Sequence, residues 1–321
     1  MIHVLGWYGH GNIGDESYKI AFAKLFPDHQ LSFSDVPPDE CDVLILGGGD
    51  ILDSSFLSAA AKVKAKKKFI ISASANPKTP IDLLSKFDKI LLRDVWSVDH
   101  LRSHGISCEY CPDIAFFLDN TEKINLPAMF SGLELYKKRV GIVLNAYLYG
   151  NNETLLSRDF LNFHNIVNDL STIMDTTAAS FILFPMSTQM PHDDRITNGI
   201  LASRCKYWQK NLLIQERMTV QETLSLISNL DVIISTRLHA SVFSMVAGVP
   251  FLDVVHHDKN QKIIDSLGLG DMAFSYWNFN CEKFGQILNE QLQNPNKERL
   301  QGIFINQLEI LKREVRNVCL S

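Results

Sequence analysis

The chain has 321 residues, with 46% hydrophobic and 21% charged residues and a formal net charge of -5. That balance excludes disordered and fibrous architectures and leaves no basic excess for nucleic acid, whose phosphates demand one. The length suits two domains, each able to bury a core. No run approaches the ~18 consecutive apolar residues of a membrane span, so no transmembrane segment is expected. The opening Met1-Ile2-His3-Val4-Leu5-Gly6 lacks a basic leader and reads as a first strand. Six scattered cysteines lack framework spacing, which fits a reducing, cytoplasmic setting.

Taken in order, the first third alternates strands and helices. Ile2–Leu5 is a short apolar run, followed by a glycine-rich turn and an amphipathic segment over Asp15–Phe26. Asp42–Leu46, Lys68–Ala73 and Lys89–Leu92 are further buried-type strands with helical stretches between them. Ser97 and Gly105 are expected to cap one short helix. The lysine-rich stretch Lys62–Lys68 reads as a helix end with a solvated face. Strands separated by helices predict a parallel sheet covered on both faces.

Asn120–Lys138 is a polar, mixed stretch, and then the alternation restarts. Strands are expected at Arg139–Leu144, Ser180–Phe184, Asn211–Ile214, Asp231–Ser235 and Pro250–Val255, and helices at Arg158–Asp175 and Leu238–Ala247. Thr219 and Glu222 have capping-box spacing. The restart predicts two α/β halves, 1–125 and 138–299. Leu300, Phe304, Leu308, Leu311 and Val315 then mark an amphipathic helix over 300–321 that could cross back onto the first half.

Four places could carry chemistry. Gly9, Gly11 and Gly14 match a G-x-G-x-x-G spacing after the first strand. Asp15 and Glu16 stand at the helix start, however, where they would repel a pyrophosphate, so dinucleotide binding is not expected. Gly47, Gly48 and Gly49 end a strand and leave room for either a ligand or a neighbouring part of the chain. Arg93, at the end of a buried strand, needs an anionic partner, which is either Asp94 or a ligand. Arg237 and His239 open an apolar helix at the end of a buried strand, where ligands of open α/β sheets bind. A guanidinium fork suits carboxylate or phosphate, and a histidine beside it can exchange a proton near neutral pH. Lys259, at the same edge, is a second cation for an anionic ligand. His256 and His257 are adjacent and expected to point apart, and Cys108–Cys111 is a lone C-x-x-C pair. Neither is expected to hold a metal.

Five blocks in this order resemble the polysaccharide pyruvyl transferase family. They are Gly9–Glu16, Asp42–Leu52 with its triple glycine, and Leu92–Ile106 with R-D-x-x-S and H-G-I. Pro112–Phe116 and Asp231–Lys262 follow, the latter with R-L-H-A, Gly248-Val249-Pro250 and a later lysine. The resemblance implies an α/β fold of two Rossmann-like domains facing across a cleft, like GT-B glycosyltransferases. It implies phosphoenolpyruvate as donor and co-substrate, a saccharide as acceptor, and no other cofactor and no metal. Arg93, Arg237, Leu238 and Lys259 are then expected on the donor, with His239 as the catalytic acid. Gly11, Asn12, Gly14, Asp15 and Gly47–Gly49 would line the cleft on the acceptor side. His256-His257 departs from the pattern, which expects an aromatic-containing stretch there. Ala146–Arg158 matches no block and is where acceptor contacts are expected. A nucleotide-sugar glycosyltransferase and a non-catalytic sugar- or anion-binding protein would use the same scaffold.

Overall fold

The computed structural model describes residues 1–119, 136–145 and 153–319. The break expected between the halves lies mostly outside these residues, as do residues 146–152 of the unmatched stretch. The chain divides into two compact units. Unit 1 comprises residues 1–118, 262–268 and 303–321, and unit 2 comprises 119–261 and 269–302.

Unit 1 is built on a six-stranded, all-parallel sheet. In chain order its strands are β1 (Ile2–Leu5), β2 (Leu31–Ser34), β3 (Glu40–Gly49), β4 (Lys64–Ala73), β5 (Lys89–Leu92) and β6 (Glu109–Tyr110), in the spatial order β2-β1-β3-β4-β5-β6. Its helices are α1 (Ile13–Leu25), α2 (Ser54–Lys62), α3 (Ile81–Leu84) and α4 (Val95–Ser103). One core joins Leu5, Leu44, Leu46, Ile70 and Leu92 of the strands to Leu57, Leu84 and Leu101 of the helices. A parallel sheet needs apolar residues on both faces, and the apolar runs of β1 and β5 reflect that.

The lysine-rich stretch is a helix end only at Lys62, the last residue of α2; from Lys64 onward it is strand. Lys64–Lys68 extend β4 beyond the core and pair in register with residues 40–44 of β3. Lys66 reaches Asp42 at 2.8 Å, and Lys68 donates to the Ala61 carbonyl. Alternation lets the charged heads reach solvent while the backbone continues the ladder. Helix α4 is capped by Asp94, which accepts from the Ser97 N–H, so Ser97 is inside the helix and not its cap.

Unit 2 repeats the design. Its strands are β7 (Arg139–Val143), β8 (Ser180–Leu183), β9 (Asn211–Leu213), β10 (Val232–Ser235), β11 (Phe251–Val255) and β12 (Ala273–Ser275), all parallel, in the order β12-β11-β10-β7-β8-β9. Its helices are α5 (Glu153–Thr176), α6 (Asp194–Arg204), α7 (Val220–Ser228), α8 (Leu238–Ala247) and α10 (Cys281–Gln293). The capping box of Thr219 and Glu222 forms as expected. Gly141 lets the Ile233 and Leu230 side chains lie against β7, and an added Cβ there would meet them at about 2.5 Å.

Two helices begin in residues of unit 2 and end in residues of unit 1: α9 (Asp258–Ser266) and α11 (Lys297–Cys319). Within unit 1, Lys262 lies 3.3 Å from the Trp96 ring centroid and Ser266 accepts from the Val95 N–H. Phe304 packs on Phe116, and Gln307 accepts from the Tyr110 hydroxyl at 2.7 Å. Leu311, Val315 and Val318 are buried. No helix among the described residues is long and apolar enough to cross a membrane.

Candidate functional site

In both units the chemistry-bearing residues gather where parallel strands end at their carboxyl side, the usual place for ligands in open α/β sheets. The two ends are built very differently.

In unit 1 the end is closed on itself. Gly9 and Gly11 take positive φ angles of 85° and 68° in the turn after β1. Asn12 caps α1, and Glu16 folds back so that its Oε1 accepts from the Gly9 N–H at 2.6 Å. The carboxylate of the helix itself thus occupies a donor that a phosphate would otherwise use. Gly14 and Asp15 are buried in the first turn, and Asp15 lies beside Gly49.

The triple glycine belongs to β3 itself, not to a turn after it. An added Cβ at Gly48 would meet the Tyr18 ring at 2.1 Å, and one at Gly47 would meet the Phe22 ring at 2.7 Å. On the side where a Cβ would stand, the room left by these glycines is filled by two rings of α1. The Tyr8 hydroxyl donates to the Gly47 carbonyl at 2.9 Å and holds the strand end further.

Arg93 is 3% exposed. Its Nε donates to Ser74, its Nη1 to the Tyr18 hydroxyl and to Asp113, and its Nη2 to Asp50. Burial alone would lower its pKa, but Tyr18, Asp113 and Asp50 outweigh it and hold the guanidinium charged. The anionic partner of Arg93 is therefore Asp113, a residue of the fourth sequence block, with Asp50 second. Asp94 is engaged in capping α4. Arg93 is thus tied by side-chain bonds into its own unit. Burial and Asp113 also push the Tyr18 hydroxyl pKa well up.

One aromatic pair at this end does face solvent. Trp7 is 44% exposed and stacks on the His10 ring at 3.8 Å between centroids. His10 Nε2 lies 2.8 Å from the Asp35 carboxylate.

In unit 2 the end presents cations. The β10–α8 turn is pinned: Arg237 N–H donates to Ser235 Oγ, and the Asn145 N–H donates to Thr236 Oγ1 at 2.6 Å. Arg237 forms the N-cap of α8 and Leu238 is buried below it, with His239 half-buried in the first turn. Unlike α1, α8 has no acidic residue in its first turn, so its dipole favours an incoming anion.

Arg237 is aimed by Asp194. Its Nε lies 3.0 and 3.2 Å from the two carboxylate oxygens, and its Nη2 reaches Asp194 Oδ1 and the His192 carbonyl, both at 2.7 Å. Asp194 is fully buried and also accepts from Asn145 Nδ2 and from the N–H groups of Met186 and Ser187. The side chain of Arg237 keeps 17% of its surface exposed. Here one edge of the fork is fixed and the rest is presented, whereas in Arg93 the whole head is enclosed.

Lys259 is half-buried near the start of α9. It and Arg237 act on the same neighbour: burial lowers the pKa of His192, and the positive charges of Arg237 and Lys259 lower it further against Asp194. That both charges act on one ring marks the positive field of this end. His192, Asp194 and Asn145 were not expected from sequence. The only local signal was the Asp193-Asp194 pair, which reads as an ordinary helix cap. Asp253 is likewise new: burial pushes its carboxyl up to about 7, against bonds from Ser241 and Asn260.

His256 and His257 do not point apart. Their rings meet edge to face at 4.3 Å, with ring nitrogens 2.9 Å apart. The aromatic partner missing from that stretch comes from beyond β12, where Trp277 stacks on His256 at 5.5 Å and Tyr276 meets it edge-on. Cys108 and Cys111 are free thiols whose pKa burial pushes up. Among the described residues no cluster of three or more metal-ligating side chains occurs.

Solved structures share this fold. The UDP-GlcNAc 2-epimerase of Neisseria meningitidis bound to UDP-GlcNAc matches with a TM-score of 0.60 at 11% identity, over 99% of both chains. The UDP-GlcNAc 2-epimerase of Methanocaldococcus jannaschii matches with a TM-score of 0.57 at 16% identity, over 98% of this chain and 84% of its own. A trehalose-6-phosphate synthase matches at 0.52 and 11%, over 93% and 75%. At such identities the likeness establishes the GT-B-like α/β fold and nothing finer. No curated protein matches the sequence. The profile of the family described as "Polysaccharide pyruvyl transferase" matches residues 7–258, and the chain belongs to that family.

Proposed function

We propose that this protein transfers the pyruvyl group of phosphoenolpyruvate to two hydroxyls of a saccharide, forming a cyclic ketal and releasing phosphate. The observation that carries this reading is the cationic end of unit 2. Arg237 is fixed on one edge by Asp194 and presented on the other at an acid-free helix start, and its charge and that of Lys259 both act on His192. Phosphoenolpyruvate carries a carboxylate and a phosphate, so it needs converging cations.

In the proposed reaction His239 delivers a proton to the methylene carbon of the donor. This leaves an oxocarbenium-like centre at the carbon bearing the phosphate, and a sugar hydroxyl adds there with loss of its proton. The second hydroxyl then displaces phosphate from the same carbon, and its proton leaves with the phosphate. Arg237 and Lys259 hold the anionic groups and stabilise the departing phosphate. Leu238 seals the floor of the turn. The scheme uses no metal and no further cofactor. The acceptor is assigned to the N-terminal unit, where the exposed Trp7 offers a face suited to a sugar ring.

The test is a thermal shift without added metal. Phosphoenolpyruvate should raise the melting temperature, because a ligand bound only by the native state stabilises it, and salt should weaken the effect. Phosphate release on adding glycans then reports turnover. The matched epimerase bound to UDP-GlcNAc makes a nucleotide-sugar enzyme the second reading. Stabilisation by UDP-GlcNAc and none by phosphoenolpyruvate would replace the first reading by the second.

A further inference from the structure

Unit 2 holds a cavity of about 450 Å³ that is lined by none of Arg237, His239 and Lys259. One wall is α5, which presents Asn162, Asn165, Asn168 and Asp169. The other is the segment after β12, with Trp277, Asn278 and Phe279. The walls are tied together, since Asn162 Nδ2 donates to the Tyr276 carbonyl. Trp277 is held in place: His256 stacks on it, Tyr276 meets it edge-on at 5.4 Å, and its N–H donates to Ser275 Oγ.

The lining has a definite chemistry. Asn162, Asn165 and Asn168 recur every three residues on one helix face. Asparagine is a poor helix former, so this row weakens α5 locally, and a merely solvated face would be better served by Glu, Lys or Gln. Each amide offers both a donor and an acceptor, the pair that adjacent hydroxyls require. Trp277 and Phe279 add apolar faces for C–H groups. No lysine, arginine or histidine lines the cavity, and its one ionisable group is the carboxyl of Asp169. A phosphate, a carboxylate or a nucleotide would meet no compensating charge there. The volume falls in the range of about 300–1,000 Å³ usual for small-ligand sites.

We propose that this cavity is a second saccharide site, specific for an uncharged sugar residue and built without Arg237, His239 or Lys259. Amides on α5 take the hydroxyls, Asp169 accepts one of them, and Trp277 stacks on the C–H face. The site would retain a neutral stretch of a glycan, whichever donor the enzyme uses.

The experiment is a glycan array of uncharged oligosaccharides, followed by calorimetry with the strongest binder on wild type, Trp277→Ala and Asn165→Ala. Asn165 is exposed, so its loss leaves folding intact, and the melting temperature of each variant checks this. The expected result is binding by the wild type that falls about tenfold or more in both variants, with an unchanged thermal shift by phosphoenolpyruvate. Binding of no uncharged glycan overturns the proposal, as does binding that both variants retain. Binding of choline chloride instead would reassign the ring and carboxyl to a quaternary ammonium group, which also overturns it. The phosphoenolpyruvate arm is read separately, so failure here leaves the donor reading standing.

Discussion

Arg93 and Arg237 each follow a buried parallel strand, yet their surroundings give them opposite fates. Arg93 is enclosed by Asp113, Tyr18, Ser74 and Asp50, while Arg237 is braced on one edge only. Arg237→Ala should therefore weaken phosphoenolpyruvate binding about ten- to a hundred-fold, the worth of a charge-assisted bond of roughly 1.5–3 kcal/mol. His239→Ala should leave donor binding near normal and cut turnover by about 10²–10⁴-fold. Arg93→Ala should leave Asp113 buried without its counter-charge and lower stability by about 3–5 kcal/mol. Arg237→Ala, by contrast, uncovers an Asp194 that keeps its bonds from Asn145, Met186 and Ser187, so its smaller stability loss is measured beside its loss of donor binding. Calorimetry, phosphate release and chemical denaturation on the three variants separate these outcomes. A fully active His239→Ala enzyme would remove His239 from the mechanism. The cation was legible because a guanidinium at a strand–helix junction has few reasons to be there. Its brace was not, since Asp194 lies 43 residues away and acquires its role only when β7, β8 and β10 are side by side.

At the level of elements, the legible strands were the interior ones and the edge strand β9. Ile2–Leu5, Lys89–Leu92 and Val232–Ser235 read as strands because both of their faces are covered. β2, β6 and β12 were not anticipated, and each is an edge strand of two to four residues. An edge strand is half-exposed, so its composition need not be apolar, and at that length alternation carries no signal. The Gly47–Gly49 run was legible as a place of close approach, but not what approaches it. Its partner is α1, whose Tyr18 and Phe22 rings lie against bare backbone. Gly48→Ala tests this, because Gly48 has φ 80° and its new methyl would meet the Tyr18 ring. Strain and overpacking together should lower stability by at least about 2 kcal/mol in urea denaturation. A variant as stable as wild type would show that α1 can move off the strand freely.

For the whole molecule, the decisive feature is that unit 1 is assembled from three separate stretches of chain. Its last stretch, on α11, buries Leu311, Val315 and Val318 and packs Phe304 on Phe116. Burying such side chains is worth about 1.5–3 kcal/mol each, a large share of the ~5–15 kcal/mol that holds a domain folded. Deleting residues 303–321 should therefore strip hydrogen-exchange protection from β1, β3, β4 and β5 and leave that of β7, β8 and β10 in place. Equal protection in both sheets would show that α11 is dispensable. The same layout also sets an order of events during synthesis. Residues 1–118 leave the ribosome before the helix that covers Phe116, which is made only after the 184 residues numbered 119–302. At about 5–20 residues per second the interval is on the order of 10–40 s. Throughout it the first sheet waits with an uncovered apolar margin while most of the second unit is already available to fold. Of the two units, it is thus the one begun earlier that is the more exposed to aggregation, and the more in need of chaperones, while the nascent chain grows.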